Sequence, residues 1–276
     1  MRTNRTFKTL GPQAAHVVTV LHERSRVVFR LEDVRDITGL SDASARSFVR
    51  KLVERGVATR LKPGLFVLVP FELGRERQYP GNPLVVAREI MNGEDYYLSH
   101  ATAMEIHGMT TQPQLVVMVS TPTPRRSLTV LGVQFRFVRC QRRRLFGLTE
   151  HWVAKQEEVR VSDLERTVID GLKQPEHCGG LTEVARGLWM RRQDMNVDRL
   201  LQYARRIGVG AVVRRLGFLL ETYEMATAPV LDPLRKGLTS TYVRLDPVFP
   251  PEGKRLRRWR LQLNVDPEEL RNVVSI

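Results

Sequence analysis

The chain has 276 residues, 42% of them hydrophobic and 27% charged, with a net charge of +14 and a pI near 10.5. This composition excludes a disordered or fibrous chain, and no apolar run approaches the roughly 18 residues that a membrane helix needs. So large a positive charge points to a polyanionic partner, either nucleic acid or an acidic protein surface.

The charge is uneven. Residues 1–79 hold 15 Lys and Arg against 8 Asp and Glu, and the other 197 hold 29 against 22. Each part carries a net +7, so the first is more than twice as basic per residue. Cys140 and Cys178 are the only cysteines and form no CxxC, which fits two inert thiols in a reducing compartment. The basic start, Met1-Arg2-Thr3-Asn4-Arg5, is not followed by an apolar segment of signal-peptide length, so a cytoplasmic location is expected.

Pro12 opens a first predicted helix with Val17, Val18 and Leu21 on one face, and Val27-Val28-Phe29 reads as a short strand. Leu31, Val34 and Ile37 fall at helical spacing, and Thr38-Gly39 ends that helix, because glycine reaches a left-handed terminal conformation cheaply. Ser41 is a good N-cap for the next helix, with Asp42 where the helix dipole favours an anion. Ala45, Phe48, Val49, Leu52 and Val53 fill one face of it; Ser44, Arg46, Ser47, Arg50, Lys51 and Glu54 occupy the other. Gly56 stops it. Val57–Leu61 and Leu65–Val69 read as two strands joined by Lys62-Pro63-Gly64. Helix, turn, helix and hairpin in this order predict a winged helix-turn-helix. Its second helix then enters a DNA major groove, where Arg46 and Arg50 suit the guanine edge and Ser44, Ser47 and Lys51 meet bases or phosphates. Arg60 and Lys62 on the wing meet backbone phosphate or the minor groove, contacts that position the protein more than they specify sequence.

Residues 73–83 (LGRERQYPGNP) read as a linker between a first domain, 1–72, and a second, 84–276. In the second, Pro83–Met91 predicts a helix and Tyr96–Leu98 a short strand. Ser99 is expected to cap a helix over His100–His107, ended by Gly108. Leu115–Ser120 reads as a buried strand and Val133–Val138 as a half-buried one. Ser162-Asp163-Leu164-Glu165 reads as a capping box opening a helix with Leu164, Val168, Ile169 and Leu172 on one face. Pro175–Gly180 is a turn. Helices are expected over 181–190, 198–206 and 211–222, and 256–265 alternates basic and apolar residues. The fold class is therefore α+β: an N-terminal winged helix-turn-helix followed by a larger mixed α/β domain with a small sheet and several helices.

Sites for chemistry are few. His100 and His107 lie on one helical face, but no further ligand sits at metal spacing, which favours a structural role over a metal site. Asp163-x-Glu165 has the spacing of a magnesium-binding pair, yet lacks an upstream Gly-Ser turn and a third carboxylate, and the capping box explains it more simply. Phosphate-loop, nucleophile-elbow and zincin motifs are absent from the sequence. No enzyme activity, cofactor or metal is expected. Three basic clusters stand out: Arg139 with Arg142, Arg143 and Arg144; Arg205 and Arg206 with Arg214 and Arg215; and Lys254, Arg255, Arg257, Arg258 and Arg260 around an interface-prone Trp259. Together they suggest a basic surface for flanking DNA or an acidic partner.

Three ordered segments carry a family resemblance. Residues 96–109 (YYLSHATAMEIHGM), 161–170 (VSDLERTVID) with Pro175 and Gly179-Gly180, and 214–221 (RRLGFLLE) are similar to segments of AbiEi-type antitoxins, and the winged helix precedes them as in that family. The resemblance spans roughly residues 12–225. It implies an antitoxin of a bacterial abortive-infection system that represses its own operon by binding inverted repeats in double-stranded promoter DNA. It also implies that a basic C-terminal domain opposes a nucleotidyltransferase toxin, in a type IV arrangement without a stable complex. Under it Ser44, Arg46, Ser47, Arg50 and Lys62 inherit the DNA-reading role, and Asp163, Glu165, Arg166, Asp170, Arg215 and Glu221 look architectural. One departure is Leu65-Phe66 in the wing, where a tyrosine is expected after the glycine. A stand-alone repressor, and more remotely a metal-dependent enzyme using Asp163 and Glu165, are the competing readings.

Overall fold

The computed structural model describes residue 8 and residues 10–272. The basic residues Met1 to Arg5 lie outside them. In chain order the elements are α1 (Pro12–Glu23), β1 (Val28–Arg30), α2 (Leu31–Thr38), α3 (Asp42–Glu54), β2 (Ala58–Lys62), β3 (Leu65–Leu68), α4 (Pro83–Met91), β4 (Tyr97–Leu98), α5 (His100–Ile106), β5 (Val116–Thr121), β6 (Leu128–Val130) and β7 (Val133–Arg139). Then follow β8 (Leu148–Ala154), β9 (Glu157–Ser162), α6 (Leu164–Lys173), α7 (Leu181–Met190), α8 (Val197–Ile207), α9 (Gly210–Thr222), α10 (Ala228–Lys236), β10 (Val243–Arg244), β11 (Lys254–Leu256), β12 (Leu261–Leu263) and α11 (Pro267–Asn272). Among the described residues no helix is long and apolar enough to cross a membrane.

The chain gathers into two compact units. The first comprises Met1–Asp95 with Arg126–Arg136 and His151–Val159; the second comprises Tyr96–Arg125, Phe137–Glu150 and Arg160–Ile276.

In the first unit β1, β3 and β2 form an antiparallel sheet in that order, with Arg60 opposite Phe66 and a bulge before Lys62. Helices α1 to α3 close over it. Val17, Leu21, Phe29, Val34, Ala45, Val49 and Leu52 are buried as one core, and Phe29 stacks on Phe66 at 5.7 Å between ring centroids. Local chemistry sets the boundaries. The backbone N–H of Arg30 donates to Asp33 at 2.7 Å and starts α2. Gly39 ends α2 at φ 69°, a left-handed value that glycine adopts without strain. The Ser41 hydroxyl accepts from the Ser44 N–H and starts α3. This is a winged helix-turn-helix, as the residue pattern predicts.

The first unit is larger than the winged helix. It takes in α4, capped by Asn82, and the tips of two hairpins. Arg88 donates to the Glu158 carbonyl at 2.8 Å, and Ser25 hydrogen-bonds Gln156. Residues 73–83 are tied down as well: the Tyr79 N–H donates to Thr59 at 3.0 Å, and Arg77 donates to the Glu54 carbonyl. These contacts join residues far apart in sequence, so no local pattern announces them.

The larger sheet has the order β6-β7-β5-β4-β9-β8. Strand β4 runs antiparallel to β5 and parallel to β9. In the second unit, helices α6 to α10 share a core that includes Val168, Ile169, Leu172, Leu188, Leu200, Leu216, Leu219 and Trp259. The strand β10 pairs parallel to β12, which pairs antiparallel to β11.

Two caps differ from the sequence expectation. Ser162 does not cap α6. It is the last residue of β9 and binds the Thr167 hydroxyl at 2.8 Å, while Asp163 caps by accepting from the Arg166 N–H at 2.7 Å. Ser and Asp both cap well, and the extent of the strand decides between them. Ser99 likewise makes no side-chain cap; its hydroxyl accepts from Ser120 and faces the His100 ring. Strands β6, β8 and β9 and helix α10 carry too weak or too interrupted a pattern for sequence periodicity to assign. In α10, Pro229 and Pro233 read as breakers, yet both lie within the helix.

Candidate nucleic-acid interface

Helix α3 buries Ala45, Val49 and Leu52 and half-buries Phe48 and Val53, which turns the opposite face outward. Ser44, Arg46, Arg50 and Lys51 are exposed on that face, and Ser47 is half-buried. Arg46 and Arg50 keep 69% and 71% of their side-chain surface accessible. Their ion pairs are loose one-turn contacts, Arg46 to Asp42 at 3.9 Å and Arg50 to Glu54 at 3.7 Å. Such exposed pairs contribute at most about 0.5 kcal/mol, so either guanidinium turns readily to a stronger anion.

The fold brings part of the expected set together. Between α3 and the wing lies a groove of about 500 Å³ lined by Leu31, Arg46, Arg50, Val53, Arg60, Gly64 and Phe66. Three arginines thus surround an apolar floor. Ser44, Ser47, Lys51 and Lys62 do not line it; Ser44 sits in the first turn of α3 beside Ser41, 3.1 Å between hydroxyls. Sequence reasoning misses the floor, because Leu31, Val53 and Phe66 look like core positions until the wing folds beside α3. Phe66, where a tyrosine is expected, is 8% exposed.

The basic clusters of the second unit divide. Arg142, Arg143, Arg205, Arg206, Lys254, Arg255, Arg257 and Arg258 are exposed, while Arg144 and Arg260 are half-buried. Arg258 pairs with Glu221 at 2.5 Å, and Arg260 donates to the Tyr242 hydroxyl at 3.4 Å. Arg214 and Arg215 do not join the surface. Each is 4% exposed, Arg214 donating to Gly210 and Thr239 and Arg215 to the carbonyls of Leu172 and Arg244. Burial lowers the Arg215 pKa to about 10. Trp259 is no interface residue either. It is fully buried, donates to Glu221 at 2.6 Å, and lies where any side chain at Gly217 would collide with it. An aromatic among five basic residues looks solvent-facing in sequence, but the tight β11–β12 connection turns it inward.

The expected architectural residues are engaged throughout. Buried Arg166 donates to Asp170 at 3.0 Å, to the Tyr97 hydroxyl at 2.8 Å, and to the carbonyls of Arg144 and Phe146. Asp163 spends its second oxygen on the Tyr203 hydroxyl at 2.8 Å. Burial, together with this bond, raises the Tyr203 pKa to about 12. Glu165 accepts from the Asn196 N–H at 2.8 Å and faces Arg199 at 3.4 Å. Both carboxylates of the Asp163-x-Glu165 pair are thus structural. The two histidines are structural too: His107 contacts the Ser162 carbonyl at 2.6 Å, and His100 contacts the Ser99 hydroxyl at 2.9 Å. No group of three His, Cys, Asp or Glu among the described residues could hold a metal ion. Cys140 and Cys178 are both buried.

His100 yields a pH prediction. Burial is the main cause that lowers its pKa from 6.5 to about 4; Asp170 opposes the shift and His177 adds to it. The unfolded chain therefore binds a proton more readily than the folded one. Its contribution is fully present above pH 6.5 and is lost as pH falls through 4, about 3 kcal/mol in all. Denaturant unfolding across that interval should show the loss. His100→Asn, which suits the left-handed backbone at φ 51°, should flatten it; an equally steep dependence in that variant would refute the assignment.

Comparison with known proteins agrees with this geometry. A model described as a transcriptional regulator of the AbiEi antitoxin type matches residues 18–69, the winged helix. The AbiEi antitoxin C-terminal domain matches residues 97–222. No curated protein sequence matches. The crystal structure of the RV2827C protein from Mycobacterium tuberculosis shares the fold, with a TM-score of 0.69 at 16% identity over 99% of this chain and 98% of that one. With both family segments matched in order, and the winged helix and the Arg166–Asp170 core in place, the chain belongs to the AbiEi antitoxin family of transcriptional regulators.

Proposed function

We propose that the chain binds inverted repeats in its own promoter and represses a toxin–antitoxin operon of type IV. The winged helix, residues 1–72, reads DNA; residues 84–276 oppose a nucleotidyltransferase toxin, and residues 73–83 join the two. The observation that carries the DNA reading is the groove between α3 and the wing, where Arg46, Arg50 and Arg60 surround an apolar floor. Ser44, Arg46, Ser47 and Arg50 meet base edges and nearby phosphates, and Lys51, Arg60 and Lys62 meet the backbone. The exposed arginines of the second unit offer a basic surface to flanking DNA or an acidic partner. The protein acts in the cytoplasm, at the nucleoid when bound to DNA. It carries no catalytic role in this reading, because Asp163 and Glu165 are committed to Tyr203, Asn196 and Arg199.

The test is binding of the full chain to its own upstream DNA at several salt concentrations. The slope of log K against log salt should be about −0.9 for each phosphate neutralised, and Arg60→Ala should reduce its magnitude by about 1. A salt-independent affinity, or no preference for upstream over unrelated DNA, would remove this reading.

A further inference from the structure

The first unit holds a second concavity, of about 490 Å³, which shares no residue with the groove beside α3. Three stretches of chain build it: the end of α1 with β1, the segment that leads into α4, and the turn between β8 and β9. The Ser25 hydroxyl bonds Gln156 and ties the first stretch to the third. Val27, Val28, Val85 and Val153 give it apolar walls. Glu157 is the acidic residue of the lining, and it is 6% exposed. Its Oε1 accepts no hydrogen bond among the described residues. Arg88 stands at 4.0 Å from it, beyond hydrogen-bond reach, and is itself held by Glu89 at 3.0 Å and by the Glu158 carbonyl at 2.8 Å. Burial raises the Glu157 pKa; Arg88 opposes the shift and Glu89 adds to it.

A carboxylate withdrawn from water is stable only where hydrogen bonds and a counter-charge surround it. Glu157 is short of both, because Arg88 is shared between two carboxylates. A ligand that brings N–H donors and a positive charge completes the set. A neutral donor supplies the bond alone, and an anion opposes the charge already there. The valine walls favour an apolar body, and the volume holds a small organic molecule. Lys155, also in the lining, is exposed and carries its charge into water on a long stem. We propose that this concavity binds a small apolar molecule bearing a protonated amine, with the ammonium group on Glu157 and the apolar body against Val27, Val85 and Val153. The site does not depend on how α3 reads DNA.

The full chain should be titrated with 2-phenylethylamine and tryptamine, with the matching alcohols 2-phenylethanol and tryptophol, and with the anion phenylacetate. Saturable binding of at least one amine is expected, about tenfold tighter than its alcohol, with phenylacetate weakest. This order is the reverse of what attraction to a chain of net charge +14 gives, so it separates the site from non-specific binding. Glu157→Gln, which keeps the shape and removes the charge, should weaken the amine about tenfold and leave the alcohol unchanged. Val153→Phe, at a half-buried wall position, should fill the concavity and weaken both; it serves as the variant should Glu157→Gln unfold. Absence of saturable amine binding, equal affinity for amine and alcohol, or an amine preference that survives in folded Glu157→Gln or Val153→Phe protein would overturn the proposal.

Discussion

Asp170→Ala is expected to destabilise the protein by about 3–5 kcal/mol, because it leaves the Arg166 guanidinium buried and uncompensated. Arg166 is 1% exposed and Asp170 2%. The carboxylate accepts from Arg166 on one oxygen and from the Tyr97 hydroxyl on the other, at 3.0 Å in each case. This single pair connects α6, strand β4 and the turn at residues 142–144. Its loss leaves Arg166 with carbonyl and hydroxyl partners but no counter-charge. Replacing both partners by apolar residues, Arg166→Met with Asp170→Leu, should cost less than Asp170→Ala alone, since no buried charge remains. Urea unfolding of the three proteins measures this. A midpoint for Asp170→Ala that differs from the parent by less than about 1 kcal/mol would show the guanidinium to be compensated elsewhere.

Arg46→Ala with Arg50→Ala should abolish most sequence-specific DNA binding while leaving the protein folded. Each arginine that reads a guanine is worth about 1–3 kcal/mol, so the pair should lower promoter affinity roughly 30-fold or more and relax sequence preference. Folding is spared because both side chains are mostly exposed and alanine is the better helix former. If antitoxicity resides in residues 84–276, the same double variant should still rescue cells from the toxin. Promoter affinity unchanged in the double variant would sink the assignment of α3 as the recognition helix, and loss of rescue by a folded variant would sink the division of labour.

The winged helix was legible because its signals are local. Gly39, Ser41 and the Pro63-Gly64 tip fix chain reversals within a few residues, and the 3.6-residue period of Ala45, Val49 and Leu52 fixes which face of α3 is buried. Arg166, Asp170 and Glu221 read correctly as architectural, through the family segments that contain them. Local charge reasoning misplaced Trp259 and Arg214, and set Arg215 on the basic surface although the family segment marks it as architectural. Their neighbours in sequence are basic and look solvated, but the side chains are satisfied by groups distant in sequence: Glu221 for Trp259, Thr239 for Arg214, and Leu172 and Arg244 for Arg215.

By itself the sequence determined that the chain is basic, that it opens with a winged helix whose outward helix face carries Arg46 and Arg50, and that its later segments resemble an antitoxin. Each follows from composition, period or motif, which are properties of neighbouring residues. Only the tertiary structure decided which arginines remain available. Burial spends Arg166, Arg214 and Arg215 on internal carbonyls and hydroxyls, whereas it leaves Arg46, Arg50 and Arg60 around the groove beside α3. The physical reason is that a guanidinium withdrawn from water must find its hydrogen bonds within the fold, and those partners are set by which strands and helices meet, not by the residues beside it in the chain.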